Sequence, residues 1–215
     1  MTRRWAFATI GLAAGFSGLA VITTILTGIP LLLAEGVLII APLTFVIVVA
    51  SRAPRALVIE VFRVVRAGFL AGFAATIVYD AVRTTLTVFD PSPYNAFEAV
   101  RQFGLGMVPA GAPVAMVMTA GFAIHFLNGS TFGVIYAVFG GRHVRTWQAA
   151  LLTGIAWGLT LEFLQSILYP GWLRITTVLG EFLVISGLGH VAYGTALGLG
   201  VRWLLRPGPA QEGDG

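Results

Sequence analysis

The sequence predicts an all-α, polytopic membrane protein with six transmembrane helices. Composition is the first reason: of 215 residues, 57% are hydrophobic and only 10% charged, whereas soluble domains carry about a quarter charged residues. Mean hydropathy is +0.90. The second reason is spacing. The apolar residues fall in successive runs of about 20, the length that crosses a bilayer core. A transmembrane barrel would instead alternate over segments of roughly 10 residues.

Met1-Thr2-Arg3-Arg4 ahead of an apolar run has the outline of a signal peptide. The run from Trp5 to Ile29 is too long for one and lacks a small-x-small cleavage site, so it reads as a retained first span. Span 1 covers about Trp5 to Leu26, with Gly11, Gly15 and Gly18 as a close-packing face. Gly28-Ile29-Pro30 turns the chain into span 2, about Leu31 to Ala50, with Glu35 one turn inside and Pro42 as a kink. Ser51 to Arg66 places Leu57, Val58, Val61, Phe62 and Val65 at helical spacing between arginines, the pattern of an interfacial amphipathic helix.

Span 3, about Ala67 to Phe89, carries Asp80 and Arg83 and ends at Asp90-Pro91-Ser92-Pro93. Tyr94 to Met107 reads as a second surface helix. Span 4, about Val114 to Phe139, carries His125, and a basic loop with His143 follows. Span 5, about Gln148 to Tyr169, carries Glu162 and Gln165, and Pro170-Gly171 is expected to break it. Span 6, about Glu181 to Leu205, carries His190. The tail 206–215 is expected to be disordered. The domain reading is therefore an N-terminal hairpin with its amphipathic helix (1–66), a membrane core (67–205) and a cytoplasmic tail (206–215).

Charge sets the orientation. All 13 basic residues are arginine. Arg3, Arg4, Arg52, Arg55, Arg63, Arg66, Arg142, Arg145, Arg202 and Arg206 fall at one set of span ends, and only Arg101 and Arg174 at the other. By the positive-inside rule both termini are cytoplasmic. The arginines therefore need no nucleic acid to explain them, and no basic patch with interleaved aromatics is present. The chain has no cysteine, which excludes disulfides and thiolate metal sites. The arginine-only, Ala/Gly-rich composition fits the inner membrane of a bacterium, with the lipid bilayer and a second copy or another membrane subunit as partners.

One pattern occurs twice. Gly121-x3-His125-x3-Gly129-x3-Gly133 is matched by Ser186-x3-His190-x3-Gly194-x3-Gly198. On the preceding spans, Gly72, Thr76, Asp80 and Arg83 match Gly154, Gly158, Glu162 and Gln165, and Asn128 matches Tyr193. Spans 3–6 thus read as a two-helix unit duplicated (67–139 and 148–205) into a pseudo-twofold four-helix bundle. These helices, with their His-x3-Gly runs, resemble small bacterial multi-pass proteins, a resemblance that carries no catalytic residue across. Counting from the span ends at 1.5 Å per residue puts Asp80, His125, Glu162 and His190 in one layer, roughly 10–17 Å below the surface.

Ionisable side chains at that depth are expensive and need partners or a task. Four readings compete. The acids and imidazoles could satisfy each other and only fix helix register, as in a non-enzymatic accessory subunit. Asp80, His125, Glu162 and His190 could ligate a divalent transition metal. His125 and His190 could be axial ligands of a haem, with Gly129 and Gly194 clearing space for the ring. The same groups could carry protons in transport of a small solute. The expectation taken forward is a metal or metallocofactor site with redox or hydrolytic scope, supported by Arg83, Asn128, Gln165 and Tyr193. Proton-coupled transport is the alternative, and no nucleophile elbow, P-loop or dinucleotide fingerprint offers another chemistry.

Overall fold

The computed structural model describes residues 1–89 and 94–206. The expected stop at Asp90-Pro91-Ser92-Pro93 and nearly all of the expected tail lie outside them. The described chain is helical, with no strand: α1 (Arg3–Ala13), α2 (Phe16–Thr27), α3 (Leu31–Leu38), α4 (Ile40–Arg52), α5 (Arg55–Phe89), α6 (Glu98–Leu105), α7 (Val114–Phe139), α8 (Trp147–Leu173) and α9 (Leu179–Leu205). Six segments are long and apolar enough to cross a membrane: Arg3–Thr27, Leu31–Arg52, Arg55–Phe89, Val114–His143, Trp147–Leu173 and Thr176–Leu205. Leu33, Val37, Ile47, Leu152, Phe163 and Ile167 are exposed, an outer surface compatible with lipid.

The first two spans are each broken once. Between α1 and α2 the ladder is interrupted around Ala14 and Gly15. Here the chain packs against α7, and a Cβ on Gly18 would meet the Phe132 ring at 2.7 Å. Between α3 and α4 the break falls at Ile39. Pro42 has no N–H for the carbonyl of Leu38 and its ring crowds that turn, so the kink appears just upstream of the proline.

Two expectations hold in outline and one boundary moves. The amphipathic stretch, expected to feed into span 3, does so without interruption from Arg55, making α5 35 residues long. At 1.5 Å per residue that is about 52 Å. Tyr94 to Met107 keeps Asn95, Arg101 and Leu105 exposed, as a surface helix would. Its helix α6 is short and buries Val100 and Phe103 against the bundle. Pro170 does not end α8, which continues to Leu173 and closes on Arg174 in the left-handed region at φ 56. A proline removes one hydrogen bond near a helix end but leaves the last turn to be held by packing. Here Leu173 is buried, and Tyr169 and Trp172 lie against the Phe103 ring of α6 at 6.4 and 5.8 Å.

The core is built on α5 and α9, which pack together; α7 lies on α5 and α8 on α9. Glycines decide how closely. A Cβ on Gly68 would lie 2.7 Å from Val134 Cα, and one on Gly72 2.9 Å from Ser130 Cα. In the other pair, a Cβ on Gly154 would lie 2.9 Å from Gly198 Cα, and one on Gly194 2.8 Å from the Gly154 carbonyl carbon. Backbone meets backbone at both seams, the close approach that small residues permit in membrane helices. α1 and α2 pack on α7, and α6 lies across α7 at the end opposite most of the arginines.

Candidate functional site: two imidazole–carboxylate pairs on one cavity

Asp80 and His125 meet where α5 runs antiparallel to α7. His125 Nε2 lies 3.0 and 3.1 Å from the two Asp80 carboxylate oxygens. Asp80 accepts, so Nε2 carries the proton and Nδ1 is left as the free ring nitrogen. Arg83, one turn beyond Asp80, has Nη1 4.0 Å from the same carboxylate. Its side chain is only 3% exposed. Arg83 donates to the Ala96 carbonyl and, at 3.4 Å, to the Tyr94 hydroxyl, and its guanidinium lies 4.7 Å over the Tyr79 ring. Those acceptors and the ring face make a buried cation tolerable. Burial pushes the Tyr94 phenol above its ordinary pKa, with the Arg83 charge opposing.

The second pair joins α8 to α9. His190 Nδ1 lies 2.7 Å from Glu162 Oε2 and 3.1 Å from the Ser186 carbonyl. Both partners are acceptors, so Nδ1 carries the proton. No hydrogen bond among the described residues uses His190 Nε2. Ser186 donates to Glu162 Oε2 at 2.7 Å, and the Tyr79 hydroxyl lies 3.4 Å from the Ser186 oxygen. Ser, His and Glu thus lie together, but Ser186 is fully buried and is not among the residues that line the adjoining cavity.

Tyr79 connects the pairs. Its ring centroid is 5.8 Å from that of His125 and 4.8 Å from that of His190. The four residues expected to form one metal site therefore stand as two pairs with an aromatic ring beside both. Among the described residues no three His, Cys, Asp or Glu side chains come together as metal ligands. The expected haem geometry also fails to fit, because Gly129 and Gly194 clear no space for a macrocycle. A Cβ on Gly129 would run into the Thr76 side chain, and one on Gly194 into the α8 backbone.

A cavity of about 330 Å³ adjoins the pairs. Thr76, Tyr79 and Arg83 of α5, His125, Asn128 and Gly129 of α7, Gln165 of α8, and His190 and Tyr193 of α9 line it. Asp80 and Glu162 do not: each carboxylate stands behind its imidazole. The remaining wall is apolar or aromatic and includes Leu19, Phe132, Trp157 and Leu164. Leu19 and Leu164 are also 52% and 46% exposed on the outside of the molecule, so the cavity opens sideways between α2 and α8. Helix α6 covers the end away from most of the arginines through Ala99, Val100 and Phe103. Several buried polar atoms in this layer make no hydrogen bond among the described residues: Arg83 Nε, Asn128 Oδ1, Trp157 Nε1 and Glu162 Oε1.

Of the residues expected to support the site, Arg83 packs beside Asp80, while Asn128 and Gln165 line the cavity. Tyr193 also lines it, and its hydroxyl donates to the Gly129 carbonyl at 2.7 Å, tying α9 to α7. Sequence reasoning missed the part played by Ser186. The signal was present: Ser186 stands where Gly121 stands in the first run, and the exchange adds a hydroxyl one turn before a histidine. Glu35 lies away from the cavity, buried and accepting a 2.6 Å hydrogen bond from Ser17. No family model, curated protein or solved structure matches this chain.

Proposed function

We propose that this is a multi-pass protein of the bacterial inner membrane, with cytoplasmic termini, that binds a small solute within the bilayer and moves protons with it. One observation carries the reading: both imidazoles line a single cavity while each is backed by its own carboxylate. A carboxylate that holds one ring N–H fixes the tautomer and turns the other nitrogen outward to exchange protons with whatever enters. Purely structural pairs would need neither a shared cavity nor an uncommitted nitrogen. The concentration of arginines at one end supports the orientation.

The matching seams support a duplicated two-helix unit. Gly72 meets the backbone around Gly129 and Ser130, and Gly154 meets that around Gly194 and Gly198. In this reading the halves share packing and differ in chemistry. Arg83 answers Gln165, and Asn128 answers Tyr193.

Proteoliposomes loaded with a pH-sensitive dye test the function. Small organic solutes added outside are expected to move protons faster than in protein-free vesicles. Asp80→Asn and Glu162→Gln, each folded by circular dichroism, are expected to abolish the difference. If no solute in a chemically varied panel moves protons above the protein-free rate, the reading fails. Elemental analysis is the companion measurement, since one metal per chain lost on His125→Ala would favour the metal site instead.

A further inference from the structure

We infer that the solute is a lipophilic weak acid of roughly ten to fifteen non-hydrogen atoms, which enters sideways from the lipid and brings its own proton. The inference rests on the proposed function and adds the class of ligand. It follows from which groups face the cavity, from their summed charge, and from where the cavity opens.

The facing groups come first. The polar lining is supplied by two imidazoles, a guanidinium, the amides of Asn128 and Gln165 and several hydroxyls. The acids are set back behind the imidazoles. A ligand head therefore meets the Arg83 guanidinium, amide groups and two acceptor ring nitrogens before it meets a carboxylate. That arrangement suits a group that brings a proton for a ring nitrogen and carries negative charge beside Arg83, and it gives an ammonium group no carboxylate to pair with.

The charges come next. Around the pairs, α5 contributes Asp80, Arg83 and Tyr79, α7 His125, α8 Glu162 and Tyr169, α9 His190 and Tyr193, and the segment before α6 Tyr94. Glu98 and Arg101 of α6 pair with each other, and α2 offers no titratable side chain. With both imidazoles neutral, two carboxylates face one guanidinium, leaving an excess negative charge. In so buried a layer a further negative charge is costly, so an anion arriving alone would deepen the excess. An acid arriving with its proton does not: R–COOH gives its proton to the free nitrogen of an imidazole, leaving R–COO⁻ beside imidazolium and Arg83. One O–H bond breaks, one N–H bond forms, and net charge is unchanged.

The opening and the size come last. The mouth between α2 and α8 is edged by Leu19 and Leu164, so a ligand reaches it from the hydrocarbon phase, where the neutral acid partitions and its anion does not. A volume of about 330 Å³ equals roughly ten water volumes of about 30 Å³ each, which sets the size of the ligand. Phe132, Trp157, Tyr169 and Tyr193 favour an aryl body.

The test uses three matched probes on the full-length purified protein: 4-phenylbutyric acid, its methyl ester and 4-phenylbutylamine. Equilibrium dialysis of the labelled acid against detergent-solubilised protein, with a micelle blank, measures saturable binding. The acid is expected to bind and to displace about one proton equivalent from a weak buffer into the complex. Its affinity, expressed for the anion, should fall about tenfold per pH unit between about pH 6 and pH 8. The ester should bind at least tenfold more weakly, and the amine should not compete. His190→Gln should remove the pH dependence or the binding. Should that variant not fold, the pH profile of the wild-type protein decides alone. Equal binding of ester or amine, or binding of the acid without proton uptake, overturns the assignment of ligand class. The proteoliposome assay is read independently. Solute-driven proton movement without selectivity for acids would leave the transport function standing and this inference refuted.

Discussion

Gly194→Ala is the sharpest probe of how the site is held. A Cβ at this position would lie 2.8 Å from the Gly154 carbonyl carbon and 3.0 Å from Ile155 Cα, and still closer to the Gly154 carbonyl oxygen. Ordinary carbon contacts sit at about 3.5–4.0 Å. Every atom in the way is backbone, so no rotamer can yield and α8 must part from α9 by roughly 0.5–1 Å. Overpacking of that kind costs about 1–3 kcal/mol. Against it stands the helix preference for Ala over Gly, about 1 kcal/mol. The clash outweighs it over most of that range, and a net loss of about 1 kcal/mol should lower Tm by about 2–4 °C for a chain of this size. Gly187→Ala is the control on the same helix: nothing lies within 4 Å of a Cβ there. Only the propensity gain applies, and Tm should rise by about 2–4 °C. Thermal unfolding of both variants in one detergent makes the comparison. If Gly194→Ala matches or exceeds Gly187→Ala, the backbone seam does not hold α8 to α9 and the argument for rigid pairing of Glu162 with His190 falls with it.

Other changes test single contacts. Ser186→Ala removes a buried donor to the Glu162 carboxylate and should cost about 1–3 kcal/mol in a denaturant titration; an unchanged midpoint would show that the hydroxyl carries no weight. Tyr193→Phe deletes the tie to the Gly129 carbonyl and should cost about 1 kcal/mol while leaving helix content intact by circular dichroism. The Arg101 guanidinium holds the Glu98 carboxyl below its ordinary 4.5. Because the folded value is the lower one, the stabilisation is present above the unfolded pKa and fades as pH falls through the folded one. Glu98→Gln should thus flatten the acid limb of the stability profile by well under about 1 kcal/mol, since the pair is solvent-screened. A steeper limb in the variant would contradict that sign.

Much of this was legible in the residues and some was not, for physical reasons. Helical periodicity and depth place Asp80 level with His125, and Glu162 level with His190, because helix rise is fixed and the span ends are marked by Gly, Pro and Arg. Periodicity says nothing about rotation of one hairpin against the other. That rotation decides whether the four side chains form a tetrad or two pairs, and it is set by α5 packing on α9, with Tyr79 between the imidazoles. The breaks at Gly15 and Ile39 follow from contacts with α7 and from a proline three residues on. Only the latter leaves a local sign. The continuation of α8 through Pro170 was hidden because propensity marks a stop, while burial of Leu173 and the rings around Phe103 outweigh it. The reach of α6 into the bundle was hidden in the same way. Val100 and Phe103 read as the apolar face of a surface helix until a neighbour is known to cover them.

The length of α5 has a mechanical consequence. A helix of 35 residues, about 52 Å, cannot fit upright within a hydrocarbon core of about 30 Å. It either protrudes or leans, and bilayer thickness sets the balance at modest energetic cost. Asp80 and Arg83 lie toward one end of this rod. Glu60, near the other, is clamped by Arg3, so the first helix is pinned to the same lever. Tilting α5 would carry the site with it relative to α2 and α8, whose flanks frame the mouth. Acyl-chain length in reconstituted membranes thereby becomes a dial on access to the cavity, turned without altering a single residue.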